Sequence, residues 1–146
     1  MDFSWSEEQR TFKDAVVNFA AKELNDDLIE RDRNGELARE NWRKCGRFGI
    51  LGLPYPEKYG GSDADILTTM LTMEGLGYAC RDNGLIFAMN AQMWSVMMPI
   101  FTHGTDAQKE KYLPQQRLNS EVRPVDQFFS GNALILFQEE SLRVLQ

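Results

Sequence analysis

Cysteine, histidine and basic charge are all scarce in these 146 residues, and each scarcity removes a class of function. The two cysteines, Cys45 and Cys80, stand far apart in the chain, so neither a disulfide framework nor a metal cluster is written into it. Both read as small buried hydrophobes. The one histidine, His103, excludes a two-histidine metal site and has no visible dyad partner. Beside Gly104 it reads as a helix C-terminal histidine near the negative end of the dipole. The net charge is −6, and no stripe of lysine and arginine stands out against it, which argues against nucleic acid as a partner. A glycine-rich phosphate loop is also missing, because Gly46, Gly49, Gly52 and Gly60-Gly61 lack the strand-then-helix setting of a nucleotide fingerprint. The start, MDFSWSEEQ, shows neither a basic region nor an apolar leader, so a cytoplasmic setting is expected.

What is present is a globular composition, with 42% hydrophobic and 26% charged residues, which places the chain outside the regime of disorder. The stretch from Leu85 to Phe101 is apolar almost all round if helical and must be covered on most sides. It is interrupted by Asn90, Gln92 and Pro99 and falls short of the roughly 20 residues a membrane span needs, so no span is expected. Ile86, Met89, Met93, Val96 and Met97 form a bulky face, while Ala88, Ala91 and Ser95 form a small one flanked by Phe87, Trp94 and Met98. By spacing alone, the small face serves either a close helix contact or a ligand groove.

Around this stretch the pattern predicts further helices. Ser6-Glu7-Glu8-Gln9 is a capping box that opens a helix carrying Phe12, Val16, Phe19, Ala20 and Leu24. Residues 25–35 have no assignable pattern. A second helix is expected from Glu36 to Phe48, ended by Gly49, with Arg39, Arg43, Lys44 and Arg47 on a solvated side. Leu51 to Asp65 reads as an ordered loop pinned by Tyr55 and Tyr59. Asp63 or Asp65 then caps a helix to about Cys80, with Ile66, Met70 and Met73 as its core stripe and Leu67 and Leu71 beside it. Glu74 on that helix reads as a paired, partly buried carboxylate before a catalytic one. Asp82 caps the apolar helix, Pro99 should kink it, and Thr105-Asp106-Ala107-Gln108 caps a short helix ending at Tyr112-Leu113-Pro114.

Several motifs in order carry a resemblance: Phe3-Ser4-Trp5-Ser6-Glu7-Glu8-Gln9, Gly49-Ile50-Leu51-Gly52-Leu53-Pro54 with Glu57-Lys58-Tyr59-Gly60-Gly61, Glu74-Gly75-Leu76-Gly77, and Gly104 through Pro114. Over about residues 2–114 the chain resembles the N-terminal helical domain of the flavin-dependent acyl-CoA dehydrogenases. The resemblance implies an all-α, antiparallel bundle-like domain of five or six helices over 1–114. It also implies that Phe87, Ala88, Ala91 and Ser95 form one wall of an acyl-chain pocket. The family reaction is the α,β-dehydrogenation of an acyl-CoA, with a glutamate base and FAD as hydride acceptor, in fatty acid metabolism. The flavin-contacting β-domain signature and the catalytic glutamate follow this domain in the family and have no match here. No catalytic, cofactor-binding or metal-binding residue is therefore expected in this chain, which reads as truncated and inactive alone. FAD and acyl-CoA enter only if further domains complete it. Residues 115–146 match neither region and are expected to hold at most a short helix at 132–145. The alternative function is a helical binding or assembly module, either half of a split enzyme or a protein that self-associates through helix 85–101.

Overall fold

The computed structural model describes residues 4–118, which form six helices and no strand. Helix α1 (Glu7–Glu23) opens on the expected capping box, in which Ser6 and Gln9 satisfy each other's backbone N–H groups. Val16, Ala20 and Leu24 then enter the core. The unassigned segment holds a short helix, α2 (Leu28–Asn34), with no buried residue, which explains why it lacks an apolar stripe. Helix α3 (Arg39–Phe48) begins three residues later than expected and ends on Gly49, whose φ of +98° suits glycine. Asn41 and Lys44 of α3 donate to the carbonyls of Leu24 and Glu23, so two acceptors orphaned at the end of α1 are met by α3. Arg43 and Arg47 pair with Glu40 in solvent and hold its carboxyl below the ordinary range, Arg47 most strongly.

The loop after Gly49 consists of two single turns, Ile50–Gly52 and Glu57–Tyr59, stitched by backbone bonds such as Asp63 N–H to Tyr55 carbonyl at 2.8 Å and Ala64 N–H to Leu53 carbonyl at 2.8 Å. Tyr55 and Tyr59 are buried, as the loop requires. Of the two candidate caps, Asp65 starts α4 (Ile66–Ala79), while Asp63 takes a left-handed conformation just before it.

The expected stripe of α4 is corrected by its packing. Ile66 and Leu67 are each 63% exposed and Met70 49%, whereas Thr69, Leu71, Thr72, Met73, Gly75 and Leu76 are buried. The threonines can turn inward because their hydroxyls bond the carbonyls four residues back, Thr69 to Asp65 and Thr72 to Thr68. Of the expected stripe only Met73 is buried, together with Leu71 beside it. Gly75 faces α1, where an added Cβ would lie 3.2 Å from Lys13 Cγ. Gln9 meets Thr68, Lys13 meets Glu74, and Asn25 meets Ala79, so α1 and α4 lie side by side in the same direction. Glu74 is exposed in its pair with Lys13 at 3.1 Å.

Helix α5 (Asn83–His103) is 21 residues long, four more than the apolar stretch suggested, and by length and composition it would reach across a membrane. One face of it is nevertheless the domain core, with Leu85, Met89, Met93 and Met97 buried. Met70, expected on the core stripe of α4, is not part of this core, and Leu76, Trp42, Tyr55 and Leu53 are. Just before Pro99 the helix widens into a π-helical segment, Ala91–Met97. Helix α6 (Asp106–Leu118) runs four residues past its expected end with Pro114 inside it, and Leu113 is buried against the core. The expected helix at 132–145 lies outside the described residues.

Candidate functional site

From Asn83 to His103 the chain holds no aspartate, glutamate, lysine or arginine, so α5 can present only an uncharged surface to a ligand. Its start is fixed by one carboxylate with two duties. Asp82 accepts from the Leu85 N–H at 2.9 Å and pairs with Arg31 of α2 at 3.2 Å. Asn25 completes the junction by donating to the Ala79 carbonyl at 3.0 Å and accepting from the Arg81 N–H at 2.8 Å. These three side chains set where α5 leaves α4.

The four residues expected to form a wall separate into two sides. Phe87 is 66% exposed, Ser95 is exposed and Ala91 is half-buried, whereas Ala88 is only 4% exposed and packs into the domain's own core. The outward line is therefore Phe87, Ala91, Ser95 and Pro99, four residues apart. Trp94 and Asn90 lie beside it, with the indole N–H donating to the Asn90 amide oxygen at 3.2 Å and the Asn90 amide donating to the Ile86 carbonyl at 3.0 Å. The polar atoms flanking the line are thus paired with each other and with backbone.

Beneath the line, the Tyr55 hydroxyl donates to the Met93 carbonyl at 2.5 Å, and the Met98 N–H takes the same carbonyl across the wide turn. Burial pushes the Tyr55 phenol well above its ordinary range. Tyr55 also meets the Phe101 ring edge-on at a centroid distance of 5.8 Å. The sequence assigned Tyr55 to the core; its bond to the apolar helix was missed, and the only hint was a proline at position 99.

His103 ends α5 exposed. Among the described residues, no three metal-ligating side chains converge. An open depression of about 730 Å³ lies along α2, between Asn25, Leu28, Arg33 and Arg81, and none of its lining residues belongs to α5.

The pattern of the acyl-CoA dehydrogenase N-terminal domain matches residues 6–117. The chain belongs to the acyl-CoA dehydrogenase family, of which the described helices are the N-terminal domain. It is 33% identical over 113 residues to a short-chain-specific acyl-CoA dehydrogenase of Clostridium acetobutylicum, covering 77% of this chain and 29% of that one. A solved prolyl acyl carrier protein oxidase, AnaB, is 48% identical with a TM-score of 0.78, over 80% of this chain and 31% of that one. The structure of PigA with FAD and proline is 32% identical with a TM-score of 0.74, over 80% of this chain and 30% of that one. This chain thus spans somewhat under a third of each of these three relatives.

FAD is bound in that last structure. The open line of α5 is apolar with one hydroxyl and carries no cation to meet a pyrophosphate.

Proposed function

We propose that this domain supplies one wall of the acyl pocket in a flavin-dependent α,β-dehydrogenation of a thioester, with the flavin and the base supplied from outside residues 4–118. The observation that carries this is the uncharged line Phe87, Ala91 and Ser95, standing open on a helix whose other side is core. Small side chains at Ala91 and Ser95 leave room for an alkyl chain, and Phe87 adds apolar area at one end. Ala88 contributes from behind, by holding the helix close to the core. The setting is cytoplasmic, and with acyl-CoA as substrate the chemistry belongs to fatty acid metabolism.

The test is to purify the 146-residue chain and assay it with a panel of acyl-CoAs and an artificial electron acceptor, alone and with the remaining domains of a relative supplied as a second chain. Alone, it should show neither flavin absorbance nor turnover, while the completed pair should show both. Flavin bound by the chain alone would overturn the reading. If the pair instead stays inert and the chain dimerises with concentration, self-association through α5 becomes the better account.

A second reading concerns the substrate's carrier. The 48% identity to a prolyl acyl carrier protein oxidase, against 33% to the Clostridium acyl-CoA enzyme, favours a prolyl thioester on a carrier protein. Prolyl-carrier protein turning over in the completed pair, with acyl-CoAs inert, is the expected outcome under it.

A further inference from the structure

We propose that Tyr55 is a positioning residue that sets the register of the pocket wall, an inference that rests on reading α5 as that wall. In an α-helix, positions four apart precess by about 40°, so three such steps from Phe87 to Pro99 would carry the line about 120° round the helix. The line does not precess in this way. Phe87, Ser95 and Pro99 are all exposed, and Leu85, Met89, Met93 and Met97 are all buried on the other side. The π-helical segment Ala91–Met97 is what keeps both lines straight, because i→i+5 closure puts more residues into each turn and rotates each residue less.

Two features hold that wide turn. Pro99 has no N–H to close a bond four residues back and crowds the carbonyl there, which removes the ordinary register's advantage. Tyr55 holds it from the core side, since its hydroxyl sits on the Met93 carbonyl that also takes the Met98 N–H. In the ordinary register Met98 would bond Trp94 instead, and the helix beyond Met93 would rotate by about 100°, a one-residue step. Ser95 would then leave the outward line. Phe87, on the near side of the turn and anchored through Asp82, would stay. Tyr55 therefore acts on the substrate surface from the opposite side of the helix, through Met93, without touching the ligand.

The experiment reads the line directly, with no flavin or substrate, so its outcome is independent of whether α5 lines an acyl pocket. Cysteine is placed at Ser95 or at Phe87 in the full chain, where the native Cys45 and Cys80 are buried, and maleimide labelling rates are measured. Adding Tyr55→Phe should slow labelling of Ser95→Cys at least tenfold and leave that of Phe87→Cys unchanged. Unchanged labelling at both positions would overturn the proposal, since a merely stabilising hydroxyl would lower the melting temperature without moving Ser95. Pro99→Ala in the presence of Tyr55 should leave Ser95→Cys reactive, and a drop there would show that proline alone sets the register. Should Tyr55→Phe unfold the chain, read as labelling of Cys45, this Pro99→Ala result decides alone.

Discussion

Gly61 lies against the backbone of Tyr55, and a Cβ at Gly61 would sit 1.8 Å from the Tyr55 carbonyl oxygen and 2.6 Å from that of Gly52. The neighbours are backbone, fixed in turn by Asp63 and Ser62 N–H groups, so neither can yield. Gly61→Ala should therefore cost at least about 3 kcal/mol, the upper range for overpacking, or abolish folding. A urea melt with an unchanged midpoint would refute this close approach.

Asn25 ties the end of α1 to the α4–α5 junction with both ends of one amide. Asn25→Ala should cost about 1–3 kcal/mol, the loss expected when polar backbone groups are left unpaired. Asn25→Asp keeps the acceptor for Arg81 but sets a carboxylate against the Ala79 carbonyl, and should recover none of that stability. Both are read from urea midpoints, and hydrogen exchange should show the loss concentrated at Arg81.

Met73 is 6% exposed and Met70 49%, although they stand within one turn of α4 and are equally hydrophobic. Met73→Ala should lose about 2–5 kcal/mol, as for a buried large-to-small change, and Met70→Ala no more than about 0.5 kcal/mol. Equal losses would mean that the outward face of α4 is covered in solution.

Alkaline pH should destabilise the fold. Burial pushes the Cys45 thiol from 9.0 up to about 12, with the nearby Cys80 adding to the shift, and burial raises Tyr55 and Cys80 as well. Each of these acids is neutral when protonated, so in the folded state each keeps its proton to higher pH than in the unfolded chain. Their contribution is complete below pH 9 and is lost as pH rises through the folded-state value. Denaturation midpoints should be flat from pH 7 to 9 in these groups and fall steadily toward pH 12. Cys45→Ala should make that fall shallower.

The sequence by itself determined the helical class, the start of α1 through Ser6, that of α4 to within Asp63 or Asp65, the stop at Gly49 and the family motifs, since caps, glycine stops and short motifs are local and act through the nearest few residues. It could not decide which side of α4 would be core. Hydrophobicity favoured Ile66 and Met70 along with Met73, and of these only Met73 is buried, whereas Thr69 and Thr72 could be buried once their hydroxyls were satisfied by their own helix, while Gly75 let α1 approach. Nor could it separate Ala88 from Ala91, whose sides are set by what stands behind the helix. The register of α5 was legible only in part, through Pro99, because the hydroxyl on the Met93 carbonyl comes from a loop thirty-eight residues earlier. No local pattern records a bond between partners so far apart in sequence, and that bond lies directly beneath the open line of the candidate site.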